Sequence, residues 1–331
     1  MPVMREIVKE VAELIRVGEP ILALNYVISK APEDIKEKAK HIFDDPKIIE
    51  EIEDDWGKLL ALIYYSHMLK VSSSDMSRRG IAGQAVSALT GAKLSRQLES
   101  KELEAMFLLS GGKALSLMGM KDRAEVCYVK AEELVRELIK EDKSWLKELS
   151  DILNDLGIIY VESGDREKGK ALLEEALEIR RKLAEENPAF KPMLAQTLNN
   201  LASLYKDLRI YDKSEEYFAE AESIYRELAE ANENYRVDLA VVLCNYASLF
   251  RVIKEHKKAE ELYLEALSIF EELAKKNEFY KSAIADVCMY LSGLYKDMGN
   301  YEKSKEYFER ANKTFAEFTA KMTASSESSA S

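Results

Sequence analysis

Residues 146–190 read LKELSDILNDLGIIYVESGDREKGKALLEEALEIRRKLAEENPAF, and residues 191–235 read KPMLAQTLNNLASLYKDLRIYDKSEEYFAEAESIYRELAEANENY. In the first stretch Leu149, Ile152, Leu153, Leu156 and Tyr160 keep the three-and-four spacing of one helix face. Leu172, Leu173, Ala176, Ile179 and Leu183 keep it again after Gly164 and Asp165, a helix stop followed by a good N-cap. Two amphipathic helices joined by a short turn make a hairpin, and the hairpin recurs every 45 residues. Gly157, Ala202, Ala247 and Ser292 hold one small position, Tyr160, Tyr205, Phe250 and Tyr295 an aromatic one, and Ala176, Ala221, Ala266 and Ala311 a third. A fixed period of this size predicts a stacked array, in which each unit buries its apolar face only against its neighbours.

Counting outward gives units at 101–145, 146–190, 191–235, 236–280 and 281–318. They close on Trp145, Phe190, Tyr235 and Tyr280, rings that are expected to seal the far end of each hairpin. Residues 1–100 lack a clean repeat but read as helices over 3–16, 20–29, 33–43, 46–70 and 80–99, with Pro32 and Asp45-Pro46 as starts. They form a helical N-terminal region of degenerate repeats or a cap; the pair 56–70 and 80–99 fits a worn repeat with a turn at Ser72, Ser73 and Ser74. The stretch 319–331 has no apolar period and reads as a disordered tail.

Composition narrows the function. All six prolines lie outside the strongly periodic stretches, which predicts an all-α chain. A net charge of −12 opposes nucleic acid and anionic membrane as partners, because both need a basic face. Cys127, Cys244 and Cys288 fall within helical patterns at odd spacing and suggest neither a disulfide framework nor a zinc site. No signal segment and no apolar run of membrane-spanning length is present, so a cytoplasmic location is expected.

Leu156-Gly157 with Tyr160, then Gly164, then Ala176, resembles the tetratricopeptide repeat, whose signature sets a small residue, an aromatic and a later Ala at these offsets. Ser214, Phe218 and Ala221 match its second-helix half, as do Ala259, Tyr263 and Ala266. The usual repeat has 34 residues, so each unit carries 11 more, close to three helical turns. In this respect TLNNLASLYKDLRIYDKSEEYFAEA (197–221) looks like the long-repeat subclass found in kinesin light chains and many prokaryotic proteins. The resemblance implies a right-handed superhelical α-solenoid of tetratricopeptide hairpins, whose first helices line a concave groove for extended peptides.

On that reading a second stripe of each first helix is the groove wall: Asn154, then Asn199, Ser203 and Lys206, then Ser248 and Arg251, then Met289, Gly293 and Lys296, with Asn200 and Asn245 beside it. Ser203, Ser248 and Gly293 leave room for a ligand backbone, and Lys206, Arg251 and Lys296 form a cationic rail. An Asn amide here can meet a peptide bond, or it can tie adjacent first helices together. The carboxylate clamp of some family members is incomplete, since Asn154 with Ile158, Asn199 with Ser203, and Cys244 with Ser248 stand where its leading Lys and Asn belong.

Catalytic sets are thin. His41, His67 and His256 are scattered, no paired metal-ligand motif occurs, and Ser110-Gly111-Gly112-Lys113 lacks the first Gly and the Ser or Thr of a phosphate loop. The sequence therefore predicts a non-enzymatic scaffold, without catalytic residues, metal or cofactor, that binds a protein or peptide in its groove. The alternative is an intracellular sensor or regulator whose N-terminal helices respond to groove occupancy. DNA reading is opposed by the balance in residues 1–65, nine basic residues against fourteen acidic. A homo-oligomer stays open.

Overall fold

A computed structural model describes residues 2–52, 54–72 and 77–328. The described residues form an all-α helical repeat. Its helices are α1 (Pro2–Arg16), α2 (Pro20–Lys30), α3 (Glu33–Ala39), α4 (Asp55–Ser72), α5 (Arg78–Gln97), α6 (Lys101–Leu117), α7 (Lys121–Leu138), α8 (Leu146–Ser163), α9 (Arg166–Glu186), α10 (Lys191–Asp207), α11 (Tyr211–Ala231), α12 (Arg236–Val252), α13 (His256–Lys276), α14 (Lys281–Asp297) and α15 (Tyr301–Ser328). They fall into two compact units, Met1–Ile179 and Arg180–Ser331, with the dividing point inside α9.

In the first unit α4 packs on α5, α5 on α6, α6 on α7 and α7 on α8, while α1 touches α2, α4 and α6. The single helix expected over 46–70 is two elements, a 3-10 segment Pro46–Glu51 and then α4. Asp54 causes the break: its carboxylate accepts from the backbone N–H of Trp56 (2.9 Å) and Gly57 (3.3 Å), an N-cap that restarts the helix. The helix expected to reach residue 43 stops at Ala39. Of the serine turn, Ser73 and Ser74 lie outside the described residues.

In the second unit the hairpins are α10 with α11, α12 with α13, and α14 with α15, and α11 packs on α12 as α13 does on α14. The small positions let each pair of helices approach. Ala202 and Ala247 are fully buried, and the carbonyl of Ala202 accepts from Ser214 Oγ at 2.7 Å. Ser292 reaches its partner helix in the other sense, its Oγ donating to the Ser304 carbonyl at 2.8 Å.

Turns and links repeat as regularly as the core. The chain leaves each first helix through a left-handed residue, which is Gly119, Gly164 or Gly299 in three hairpins but Arg209 and Lys254 in the other two. A side chain costs about 1 kcal/mol in that conformation, so the middle turns are the strained ones. At each link Asp142, Asn187, Asn232 or Asn277 accepts a hydrogen bond from the backbone N–H two residues on, forming a one-turn 3-10 segment before the next helix. Of the link rings expected to seal the hairpins, Trp145 is buried, whereas Phe190, Tyr235 and Tyr280 are half-buried.

The outer surfaces of the second helices carry a ladder of ion pairs: Arg136 with Glu175 (2.8 Å) in the first unit, then Arg181 with Glu220 (2.6 Å), Arg226 with Glu265 (2.5 Å) and Arg310 with Glu271 in the second. The last rung is reversed in sign. A Lys lies over the first-helix ring of each of four hairpins, Lys168 on Tyr160, Lys213 on Tyr205, Lys258 on Phe250 and Lys303 on Tyr295, at 3.7 to 5.1 Å. One expectation is corrected at the C-terminus: α15 continues through Ser328, across most of the stretch read as a disordered tail. Ala320, Lys321, Met322 and Ala324 are good helix formers, and local propensity extends a helix that has no apolar period to pack.

Candidate functional site

The faces of α10, α12 and α14 that turn away from their own partner helices bring most of the predicted stripe together. Asn245 Nδ2 donates to Asn199 Oδ1 at 3.0 Å, joining α12 to α10. This is the helix-to-helix tie, the second of the two roles open to these amides. It leaves Asn199 Nδ2 and Asn245 Oδ1 with no further hydrogen bond among the described residues, and both side chains are half-exposed. Asn200 and Ser203 are likewise half-exposed.

The cationic rail is changed by the structure. Lys206 Nζ donates to Ser248 Oγ at 3.0 Å, and Arg251 Nε donates to Asp297 Oδ2 at 2.6 Å. Each reaches forward to the next first helix, because the repeat brings a polar side chain there within its length. Gly293 is small for the same reason: a Cβ at this position would lie 2.8 Å from Arg251 Nη1, so the space is filled by the guanidinium and not left for a ligand. Of the three cations, Lys296, on the last first helix, is exposed and has no ion pair among the described residues. Asp297 offsets the charge of Arg251, whereas the neutral hydroxyl of Ser248 holds Lys206 in place without offsetting its charge, so Lys206 and Lys296 both keep their pull on an anion.

Asn154 belongs elsewhere. It lies in the first unit, is buried, and donates to Asp155 Oδ1 at 3.2 Å, so it forms no part of an exposed stripe. Asp155 also accepts from Tyr128 Oη (3.0 Å), and burial is the main cause raising its carboxyl above the ordinary value, with Lys113 opposing. Near this cluster α1 lies against α6, and Arg16 fastens its end. The guanidinium sits 4.6 Å above the Trp145 ring, donates to Ser144 Oγ at 2.8 Å and lies 3.7 Å from both Asp142 and Glu148. A cleft of about 180 Å³ remains between these elements, lined by Ile15, Ser66, Lys70, Met106 and Ser110 among others.

Apolar groups on the second unit's face were only partly foreseen. Met289 and its neighbour Tyr290 are each 44% exposed, as is Val241 on α12. Val241 occupies a position held by Gln196 and Asp286 one repeat either side, and that apolar departure from a polar register was the signal available in the sequence. Burial, with Asp286 adding, pushes the Cys244 thiol up to about 12, which keeps it an inert core group at neutral pH. Among the described residues no group of His, Cys, Asp or Glu is placed to hold a metal, and no helix is long and apolar enough to cross a membrane.

Stacked helical hairpins with a polar and apolar face on their first helices define a protein-interaction repeat. The chain is a tetratricopeptide-repeat protein: models of that repeat match residues 148–227, 193–272 and 285–314. No curated protein matches it. Among solved structures it is similar to BtubC (BKLC) from P. vanneervenii, with a TM-score of 0.57 and 22% identity over 72% of this chain and 92% of that one. It is also similar to a Rap protein complexed with competence and sporulation factor, with a TM-score of 0.60 and 17% identity over 97% and 79% of the two chains. A Signal Transduction ATPase with Numerous Domains protein with a tetratricopeptide repeat sensor, from Pyrococcus horikoshii, gives 0.57 and 16% over 97% and 53%. At these identities the likeness is one of fold.

Proposed function

We propose that the chain is a non-enzymatic scaffold that holds a peptide or a segment of a partner protein along the first helices α10, α12 and α14, in the groove the family resemblance implies. The observation that carries this reading is the mixture on that face: half-used amides at Asn199 and Asn245 beside exposed Met289, Tyr290 and Val241 and the exposed charge of Lys296. Amides with spare donors and acceptors suit an extended backbone, and exposed Met and Tyr suit its side chains. Asn200, Ser203 and Ser248 complete the surface, and Lys206 and Arg251 hold it in shape. The related Rap protein is complexed with a factor, and the related ATPase carries its repeats as a sensor, which agrees with a binding role.

The test is partner capture by the full chain against a variant carrying Asn200→Ala, Ser203→Arg, Met289→Ala and Tyr290→Ala. A partner held by this face should be lost from the variant while its helical circular dichroism is kept. Equal recovery of every partner by both proteins would end the proposal.

A second reading, a regulator whose N-terminal helices respond to the bound molecule, is favoured by the Arg16 latch between α1 and the link at Asp142–Trp145. Arg16→Ala should then speed hydrogen exchange in α1 and change partner affinity together. If exchange rises with affinity unaltered, the N-terminal region is a structural cap only.

A further inference from the structure

The last helix holds, about half exposed, rings whose counterparts in the preceding hairpins are core residues. Phe308 stands where Phe218 and Tyr263 stand in the two preceding hairpins, and Phe315 where Tyr225 and Phe270 stand. The four earlier residues are at most 5% exposed, whereas Phe308 and Phe315 are 47% and 55% exposed. The difference has a simple cause. Tyr246 on α12 stacks 5.5 Å from Phe218, and Tyr290 on α14 lies 5.7 Å from Tyr263, so the first helix of the following hairpin covers each ring. Among the described residues no hairpin follows α15. Tyr301, also exposed, extends the row at the same seven-residue spacing, nearly two helical turns, so the three rings form one apolar stripe.

Two further residues say what fits there. At the position from which Arg136, Arg181, Arg226 and Glu271 each reach forward to the next second helix, α15 has Ala316. The charge that would match another hairpin is missing. Between the two phenylalanines lies exposed Asn312, where α11 has Glu222 and α13 has the buried Leu267; two facing carboxylates would repel, whereas an amide is both donor and acceptor and can bond to its own copy.

We propose that this stripe is a self-association surface, occupied by α15 of a second copy packed antiparallel across a twofold axis. Phe308 and Phe315 are equidistant from the point between Ala311 and Asn312, so an axis there sets Phe308 of each copy level with Phe315 of the other and brings the two Asn312 side chains together. The rings then meet as they do at the α11–α12 and α13–α14 contacts, and the stripe continues an interface the fold already uses. Such an isologous contact closes at two copies. One helix pair lies at the lower end of stable interface size, about 1,200 Å² in total, so the dimer is weak and concentration-dependent. The first-helix face proposed above for partners takes no part in it, and either proposal can fail alone.

Sedimentation equilibrium of the full chain, from sub-micromolar to near-millimolar concentration, should show the mass rising from one copy to two. The double variant Phe308→Glu, Phe315→Glu should stay monomeric throughout with an unchanged far-ultraviolet spectrum. In parallel, mild oxidation of Asn312→Cys should yield a covalent dimer, because Cys127, Cys244 and Cys288 are buried, while Glu302→Cys, at the far end of an antiparallel pair, should not. A parent chain monomeric at every concentration, a dimer that survives the double variant, mass growing past two copies, or cross-linking through Glu302→Cys in place of Asn312→Cys would each overturn the proposal. Should the double variant misfold, the two cysteine variants decide.

Discussion

The two faces of the same hairpins in Arg180–Ser331 use their side chains in opposite ways. On the outer face the second helices close their charges on one another, Arg181 on Glu220, Arg226 on Glu265 and Arg310 on Glu271, and their rings pack beneath. On the inner face the first helices tie together only in part: one amide bond joins Asn245 to Asn199, two cations reach forward, Met289 and Tyr290 are each 44% exposed, and Lys296 is exposed. A face that satisfies itself stabilises the stack, and a face that leaves donors, acceptors and apolar area unused is available to another molecule. The contrast predicts that outer-face packing changes act on stability and inner-face changes act mainly on partners.

The largest effect should come from Phe218→Ala. This ring is fully buried between its own helix and Tyr246, and removing it leaves a cavity worth about 3–5 kcal/mol. Urea denaturation measures it. A loss below about 1 kcal/mol would mean that the hairpins do not stack through this position.

Next in size is the inner tie. Asn199→Ala and Asn245→Ala each remove the same half-buried hydrogen bond, so either alone should cost about 1 kcal/mol and the pair together scarcely more. Additive losses in that double-mutant cycle would show that the amides do not meet. A fall in partner binding beyond the stability loss would sharpen the comparison, since it would reveal the free half of each amide at work.

The ladder comes third. Arg226→Glu faces Glu265 and Glu222 with a like charge, yet these side chains are about one-fifth to two-fifths exposed to water, so the cost should stay near 0.2–1 kcal/mol and shrink with salt. Glu265 and then Glu222 hold the Arg226 guanidinium above its ordinary pKa, in line with paired charges. Adding Glu265→Arg should restore stability, because the rung Glu271 with Arg310 already has that order. Failure of the swap would make the ladder's direction, and not merely its pairing, part of the design.

Much of this was legible in the sequence. The 45-residue step gave the hairpins because core positions obey one geometry: a small residue where helices approach, a ring where they part. The Asx links at Asp142, Asn187, Asn232 and Asn277 and the lysines over the first-helix rings keep the same step and could have been read. Asp54, a cap outside the repeat, has no register to expose it, so the pattern over 46–70 reads as one helix where the chain forms a 3-10 segment and then α4. The rail at Lys206 and Arg251 was visible as positive charge, but its partners Ser248 and Asp297 lie one repeat away, and which of two nearby groups a long side chain chooses depends on rise and tilt that spacing alone does not carry. Asn154 shows the same limit, since identical residues at one register position are half-exposed at Asn199 and buried in the first unit.

The smallest effect tests why that position differs between units. Asp155 occupies the place held by Asn200 and Asn245 in the second unit, and burial raises its carboxyl above the ordinary value near 3.8. The folded chain therefore keeps the proton to higher pH than the unfolded chain does. As pH rises from that ordinary value through the raised one, the unfolded state binds fewer protons and stability falls; above the window the penalty persists in full. Asp155→Asn removes the titration while keeping an acceptor for Tyr128 Oη. It should stabilise the chain at neutral pH, where the carboxylate is charged, and leave it unchanged in acid below the ordinary value, where the parent is already neutral. Urea midpoints of parent and variant at those two pH values measure the difference. An equal difference at both would mean that the Lys113 attraction cancels the burial cost, and that the carboxylate is held in this cluster as a paired charge like those of the outer ladder.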